Sequence, residues 1–313
     1  MLSLSVFVLL SVFWSALCQC PAQETIAPAC TCRDMGSGPM VLCTNLMSVE
    51  ELIPIIKSTD SRNMFALTIA DSSLLYIPST LFKNTKYQKI QFTNTQIMAL
   101  SDSDLAFEGL EDRLEEIRAK DAHYITTWEW SQLRNLRKLD LLDINLISFN
   151  SLDQEFPALT SLSSLGISRA DISFIHPTAF SKLVNLKILN LEYNLITELT
   201  RSMLPNPAEQ LMILDLSNNE ISILPDDMFE GMPNLMQLEL NNNKLTTLRE
   251  EIFSWPMQNV QTLFLKGNEF RCDCRLRWMV GVDKPMYFEG NCSLPETLKD
   301  LPLKYLSHKV LWC

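Results

Sequence analysis

Residues 211–221 read LMILDLSNNEI, and the same frame, L-x-x-L-x-L-x-x-N-x-L, returns three more times. It stands as LKILNLEYNLI at 186–196, LMQLELNNNKL at 235–245 and VQTLFLKGNEF at 260–270. The starts lie 25, 24 and 25 residues apart. One match arises by chance; four in phase do not. A fixed period of this size marks a supersecondary coil repeated along the chain.

The spacing dictates the geometry. Side chains of a strand alternate between its faces, so the residues at positions four and six share one face. The leucine at position one and the aliphatic after the Asn close the same core from the turns. The Asn sits where the backbone leaves the strand, and its amide can both donate to and accept from main-chain groups that the bend leaves unpaired. Asn194, Asn219, Asn243 and Asn268 are therefore expected to be structural. A single coil cannot bury its apolar face, whereas stacked coils bury it against one another.

Followed backwards, the register places strand segments near Met64, Tyr87, Leu114, Leu136 and Leu162, which with the four clear copies makes nine. In the early copies Ser72, Thr95, Ala122, Ile144 and Ala170 stand at the Asn position. Ser and Thr replace part of its hydrogen bonding, while Ala and Ile cannot, so a less regular first half is expected. A second ladder, Phe82, Phe107, Phe156, Phe180, Leu204, Phe229 and Phe253, with Trp130 in the same series, follows the repeats. Aromatics stacked on the back of the coils fill the space where repeats splay apart.

The nine cysteines fall at the ends: Cys18, Cys20, Cys30, Cys32 and Cys43, then Cys272, Cys274, Cys292 and Cys313. Residues 1–17 are apolar and uncharged, too short for a span of ~20 residues, and Ala16 and Cys18 suit a signal-peptidase site before Gln19. Loss of Cys18 with this leader leaves eight cysteines, four at each end, a pattern of disulfides formed in an oxidising compartment. An end coil exposes an apolar flank, so each end needs a terminal unit. The expected division is a signal peptide at 1–18, a cysteine-rich cap at 19–63, repeats at 64–271 and a second cap at 272–313. The chain is expected to be secreted, with neither membrane span nor lipid-anchor tail.

The repeat and the C-x-C-x-L-x-W opening of the second cap (residues 272–278) resemble the extracellular leucine-rich repeat family with cysteine-bounded flanking modules. The resemblance covers residues 20–313. It implies an α/β repeat fold: a curved, right-handed leucine-rich repeat solenoid of about nine repeats, with a parallel concave sheet and disulfide-bonded caps. It also implies the pairs Cys20–Cys32, Cys30–Cys43, Cys272–Cys292 and Cys274–Cys313. The Cys20-Pro21 start and the run Ile26-Ala-Pro-Ala-Cys-x-Cys32 are similar to small secreted arthropod proteins of this layout, a non-catalytic subunit of a luciferase-type enzyme among them.

Chemistry is sparse. His123, His176 and His308 are scattered, and no H-E-x-x-H, G-x-S-x-G or phosphate-binding glycine motif occurs among only eight glycines. No catalytic residue, metal ligand or cofactor is assigned, and the Cys-x-Cys pairs read as disulfides rather than thiolate ligands. A formal net charge of -11 argues against nucleic acid and anionic membrane surfaces. Asn291-Cys292-Ser293 is the one N-glycosylation sequon.

What remains is surface. The charges Glu116, Arg118, Lys120, Lys138, Asp140 and Asp143 read as a solvated face of neighbouring opposite signs. Ile188 and Ile213 occupy equivalent outward strand positions in adjacent repeats, with Tyr193, Met212 and Met236 nearby and Phe264 beyond. Apolar residues stacked on an outward face indicate a partner surface. The expected function is non-enzymatic recognition of an extracellular protein through the concave face. The alternatives are a stabilising subunit bound to a catalytic chain and an extracellular structural or adhesive component.

Overall fold

In the computed structural model, which describes residues 20–121 and 128–311, the leucines of each repeat line up strand against strand. The leader read at 1–18, His123 and Cys313 lie outside the described residues. Contacts group the chain into two compact units, Met1–Ile147 and Ser148–Cys313.

In the first unit the strand Cys30–Asp34 pairs antiparallel with Pro39–Thr44, and from there the pairing is parallel. Asn63–Ala70, Lys86–Thr93, Glu116–Lys120 and Leu141–Asn145 follow in order. The register aligns Leu67, Ile90, Ile117 and Leu142, all fully buried. Val41 of the cap pairs with Leu67, so the cap supplies a strand to the same sheet. The helix Val49–Lys57 buries Val49, Leu52, Ile55 and Ile56, an apolar stripe at helical spacing. Phe82 packs against Phe107 with the rings tilted and their centroids 5.8 Å apart.

The fourth repeat corrects the sequence frame. Leu136, Leu139 and Leu141 fit positions one, four and six, but Ile117 pairs with Leu142 and Ala119 with Ile144. The repeat therefore starts at Leu139. Leucines at 136, 139 and 142 recur every three residues, so two frames satisfy the pattern equally. Packing decides between them: Leu139, Leu142, Ile144 and Ile147 are all buried while Leu141 is partly exposed. Ile147, not Ile144, takes the Asn position, and Ile144 is a strand core residue.

In the second unit Ser164–Ser168, Ile188–Asn190, Ile213–Asp215, Gln237–Glu239, Thr262–Phe264 and Tyr287–Glu289 run parallel. Leu165, Leu189, Leu214, Leu238, Leu263 and Phe288 form one buried row. The last of these strands belongs to the C-terminal cap.

The asparagines form the internal hydrogen-bond ladder. Asn219 accepts from the Ile196 amide at 3.1 Å and donates to the carbonyls of Leu191, Leu216 and Ser217. Asn194, Asn243 and Asn268 do the same for their neighbours. In the first unit Thr95 only donates, to the Ile69 and Thr93 carbonyls, while Ser72 donates to Ala70 and accepts from Leu46. On the back, Phe156 packs tilted against Phe180 at 5.5 Å and Phe229 against Phe253 at 6.1 Å. The fold is a leucine-rich repeat solenoid.

Disulfides join Cys20 to Cys32, Cys30 to Cys43 and Cys272 to Cys292. Cys274 is also disulfide-bonded; Cys313, the partner expected for it, is outside the described residues. Leu276 is fully buried, and the Trp278 indole donates to the Leu248 carbonyl at 2.8 Å, tying this cap to the last repeats.

Candidate functional site

Each strand of the second unit turns the residues on either side of its buried leucine towards the open sheet face. Register gathers them into two columns. One runs Ile188, Ile213, Gln237, Thr262, Tyr287, and the other Asn190, Asp215, Glu239, Phe264, Glu289. Ile188 is 37 % exposed and Ile213 half-buried beside it. Exposed Met212 and half-buried Met236 sit side by side just ahead of the strands, the Met236 amide donating to the Met212 carbonyl at 2.9 Å.

These four residues come together as the sequence suggests. Tyr193 and Phe264 do not join their column. Tyr193 immediately precedes the ladder Asn194 and has φ +54°, as Asn218, Asn242 and Gly267 do at the same place in later repeats. Its exposed ring carries the Arg169 guanidinium 4.1 Å from its centroid, a cation–π contact. Phe264 stands in the second column, next to Glu239.

Sequence reading passed over two sets of residues. Tyr287 ends this column in the cap, beyond Gln237 and Thr262, and with Met286 before it is well exposed. No leucine frame marks this strand. Asp215 and Glu239, on neighbouring strands, place two carboxylates side by side. Among the described residues no cation pairs with either one.

The open face of the first unit behaves differently. Lys89 reaches Glu116 at 2.7 Å, and Arg118 bridges Glu116 to Asp143, 3.3 Å on the Asp143 side. Burial raises the Glu116 carboxyl, but the hydrogen bonds and charges of Lys89 and Arg118 outweigh it and hold the group below its ordinary range. For Asp143 burial outweighs Arg118, so its carboxyl is raised. Lys120, Lys138 and Asp140 are exposed around this set.

A depressed folded-state pKa gives a stabilisation that is present above the ordinary glutamate value of 4.5 and lost as pH falls through the folded one. The urea midpoint of the parent chain should therefore exceed that of Glu116→Gln above pH 4.5, and the gap should close as the medium is acidified below it. A gap that persists unchanged into strong acid contradicts the pairing.

Elsewhere in the first unit Met47, Leu75, Tyr76 and Met98 line an apolar groove of about 560 Å³. His176 is engaged by its near neighbour Thr178. Among the described residues no group of three or more His, Cys, Asp or Glu could hold a metal ion. No described helix is long and apolar enough to cross a membrane.

Residues 160–206 and 209–270 match the family model described as Leucine rich repeat. These residues are leucine-rich repeats. Lumican of Gallus gallus is 26 % identical over 233 residues, covering 67 % of this chain and 58 % of lumican. The leucine-rich repeat-containing G-protein coupled receptor 5 of Bos taurus is 35 % identical over 95 residues, 29 % of this chain and 10 % of the receptor. The chain thus spans less than two thirds of the length of these relatives.

Among solved structures, a chain from the octameric complex of Latrophilin 3, Unc5D and FLRT2 superposes with a TM-score of 0.63 at 19 % identity. It covers 93 % of this chain and 99 % of that one. A TLR13–ssRNA13 complex gives 0.61 at 22 % identity, covering 74 % of this chain and 32 % of the other. At these identities the likeness is one of fold. The leucine-rich repeats, the disulfides near both ends and the lumican similarity fit an extracellular protein.

Proposed function

We propose that this chain is a secreted, non-enzymatic module that recognises an extracellular protein through the open, concave face of its sheet between residues 186 and 289. The observation that carries the reading is the column of Ile188 and Ile213, unpaired on the open face and flanked by Met212 and Met236. A solenoid devoted to its own stability has no need of isoleucine there, since the buried row already holds the coils together. Apolar anchors on an extended platform are how such surfaces supply most of a binding energy. The FLRT2-containing complex, an assembly with other proteins, supports a protein partner. The net charge of -11 speaks against the RNA of the TLR13 complex.

The test uses the full chain as bait in extracellular fluid, with Ile188→Asp/Ile213→Asp as its comparison. Two buried-edge charges against an apolar anchor should reduce capture of the specific partner at least about tenfold, since a desolvated charge costs several kcal/mol. Equal capture by a folded variant discards the patch. Recovery of an unrelated catalytic chain at fixed stoichiometry assigns the role of carrier or stabilising subunit. Self-association or matrix retention without a partner assigns a structural role.

A further inference from the structure

The two units treat carboxylates at the same strand positions in opposite ways. In the first, the column holding Gln91, Arg118 and Asp143 and the column holding Lys89 and Glu116 neutralise each other. In the second, Asp215 and Glu239 occupy the positions equivalent to Arg118 and Asp143, and among the described residues no lysine or arginine pairs with them. Strands in a sheet lie ~4.8 Å apart, so the two carboxylates face one cation's reach.

Their oxygens are only partly used. Asp215 Oδ1 accepts the Ser217 amide at 2.9 Å, and Glu239 Oε1 accepts the Gln237 side-chain amide at 2.5 Å. Two cations of this unit are engaged by other acids: Arg169 stands 3.8 Å from Glu192 and Lys266 2.9 Å from Glu289. Burial, together with the charges of Asp215 and Glu192, pushes the Glu239 carboxyl up despite the hydrogen bond from Gln237. In the first unit Arg118 stands between the like charges of Glu116 and Asp143. Ile213 and Gln237 stand in the neighbouring column on the same strands, with Ile188 one strand before Ile213 and Tyr287 two strands beyond Gln237.

We propose that the protein partner meets this face with arginine or lysine set among apolar residues, the cation entering between Asp215 and Glu239 while its apolar neighbours cover Ile188, Ile213 and Tyr287. This rests on the concave-face reading above and names the chemistry of its occupant. An arginine fork is matched to paired carboxylates and forms charge-assisted hydrogen bonds with both. The open oxygens supply the acceptors, and the neighbouring isoleucines supply the apolar floor that strengthens them.

The test uses capped synthetic peptides and the full chain, in a chelator-containing buffer that removes bridging metal ions. The first peptide alternates Leu and Arg; the second replaces every Arg by citrulline, and the third every Arg by Glu. The Leu-Arg peptide should bind at least about tenfold more tightly than the citrulline peptide, weaken as salt is raised, and leave the Glu peptide unbound. Asp215→Asn/Glu239→Gln should abolish the preference for Arg over citrulline. Glu250→Gln/Glu251→Gln, which removes the same charge from two exposed positions in the first turn of the helix Glu250–Asn259, should preserve it.

Equal binding of the Arg and citrulline peptides, lost in Ile188→Asp/Ile213→Asp, overturns the cationic partner while leaving the concave-face reading in place. Arg-peptide binding that survives in both the carboxylate and the isoleucine variants overturns both. Loss of the preference in the Glu250/Glu251 variant as well marks general attraction to an acidic chain and also overturns the inference.

Discussion

Asn219→Ala should destabilise the second unit by about 3–5 kcal/mol, read as a fall in the urea midpoint. The side chain removed satisfies one buried amide, of Ile196, and three carbonyls, of Leu191, Leu216 and Ser217. Each buried polar group left without a partner costs about 1–3 kcal/mol. Asn219→Asp should be at least as damaging, since its carboxylate faces three carbonyl oxygens in place of the lost donors. Asn234→Ala is the comparison: that amide donates one bond, to the Glu209 carbonyl at 2.7 Å, from an exposed position. Its loss should cost about 1 kcal/mol or less. Equal effects at 219 and 234 contradict the ladder.

Phe180→Ala should cost a similar amount by a different route. Phe180 is fully buried with its ring 5.5 Å from that of Phe156, on the side of the coils away from the sheet. Truncating a buried phenylalanine costs about 3–5 kcal/mol, part of it transfer energy and part the cavity left behind. Neighbouring coils hold the space open, because their strands are fixed by hydrogen bonding to both sides. Phe180→Leu should cost under about 2 kcal/mol, since leucine retains most of the volume and Leu204 already fills the next place in this column. A calorimetric or urea-melt series in which Ala and Leu are equally harmful contradicts the packing.

Much of the fold is legible in the sequence because stacking repeats one simple rule. The leucines at positions four and six must share a face, and Leu189, Leu214, Leu238 and Leu263 do so in register. Legibility fails where the rule has two solutions or no marker. Leu136, Leu139 and Leu142 recur every three residues, so pattern alone leaves the frame of the fourth repeat open, and the burial of Ile144 and Ile147 closes it. Tyr287-Phe288-Glu289 carries no leucine frame, and only its pairing with Thr262–Phe264 identifies it as a strand.

The open face was half legible. Ile188 and Ile213 stand out because apolar residues at outward strand positions need a reason. Asp215 and Glu239 do not stand out, because an acidic residue on a solvated face is ordinary. Their distinction is lateral: Glu116 has Lys89 and Arg118 beside it, while no basic residue stands in the strand next to Asp215 or Glu239 at the right height. Such information lies in neighbours some 25 residues apart, and it becomes visible once the strands are in register.

The most direct test of this account is hydroxyl-radical footprinting of the full chain, free and bound to the partner recovered by capture. Met212, Met236, Tyr193, Met286 and Tyr287 lie on or beside the open face of the second unit, and Met47 and Met98 line the groove of the first. Oxidation at the first five should fall on binding while Met47 and Met98 react as before. Shielding of Met47 and Met98 with Met212 and Tyr193 unchanged contradicts recognition through the concave face.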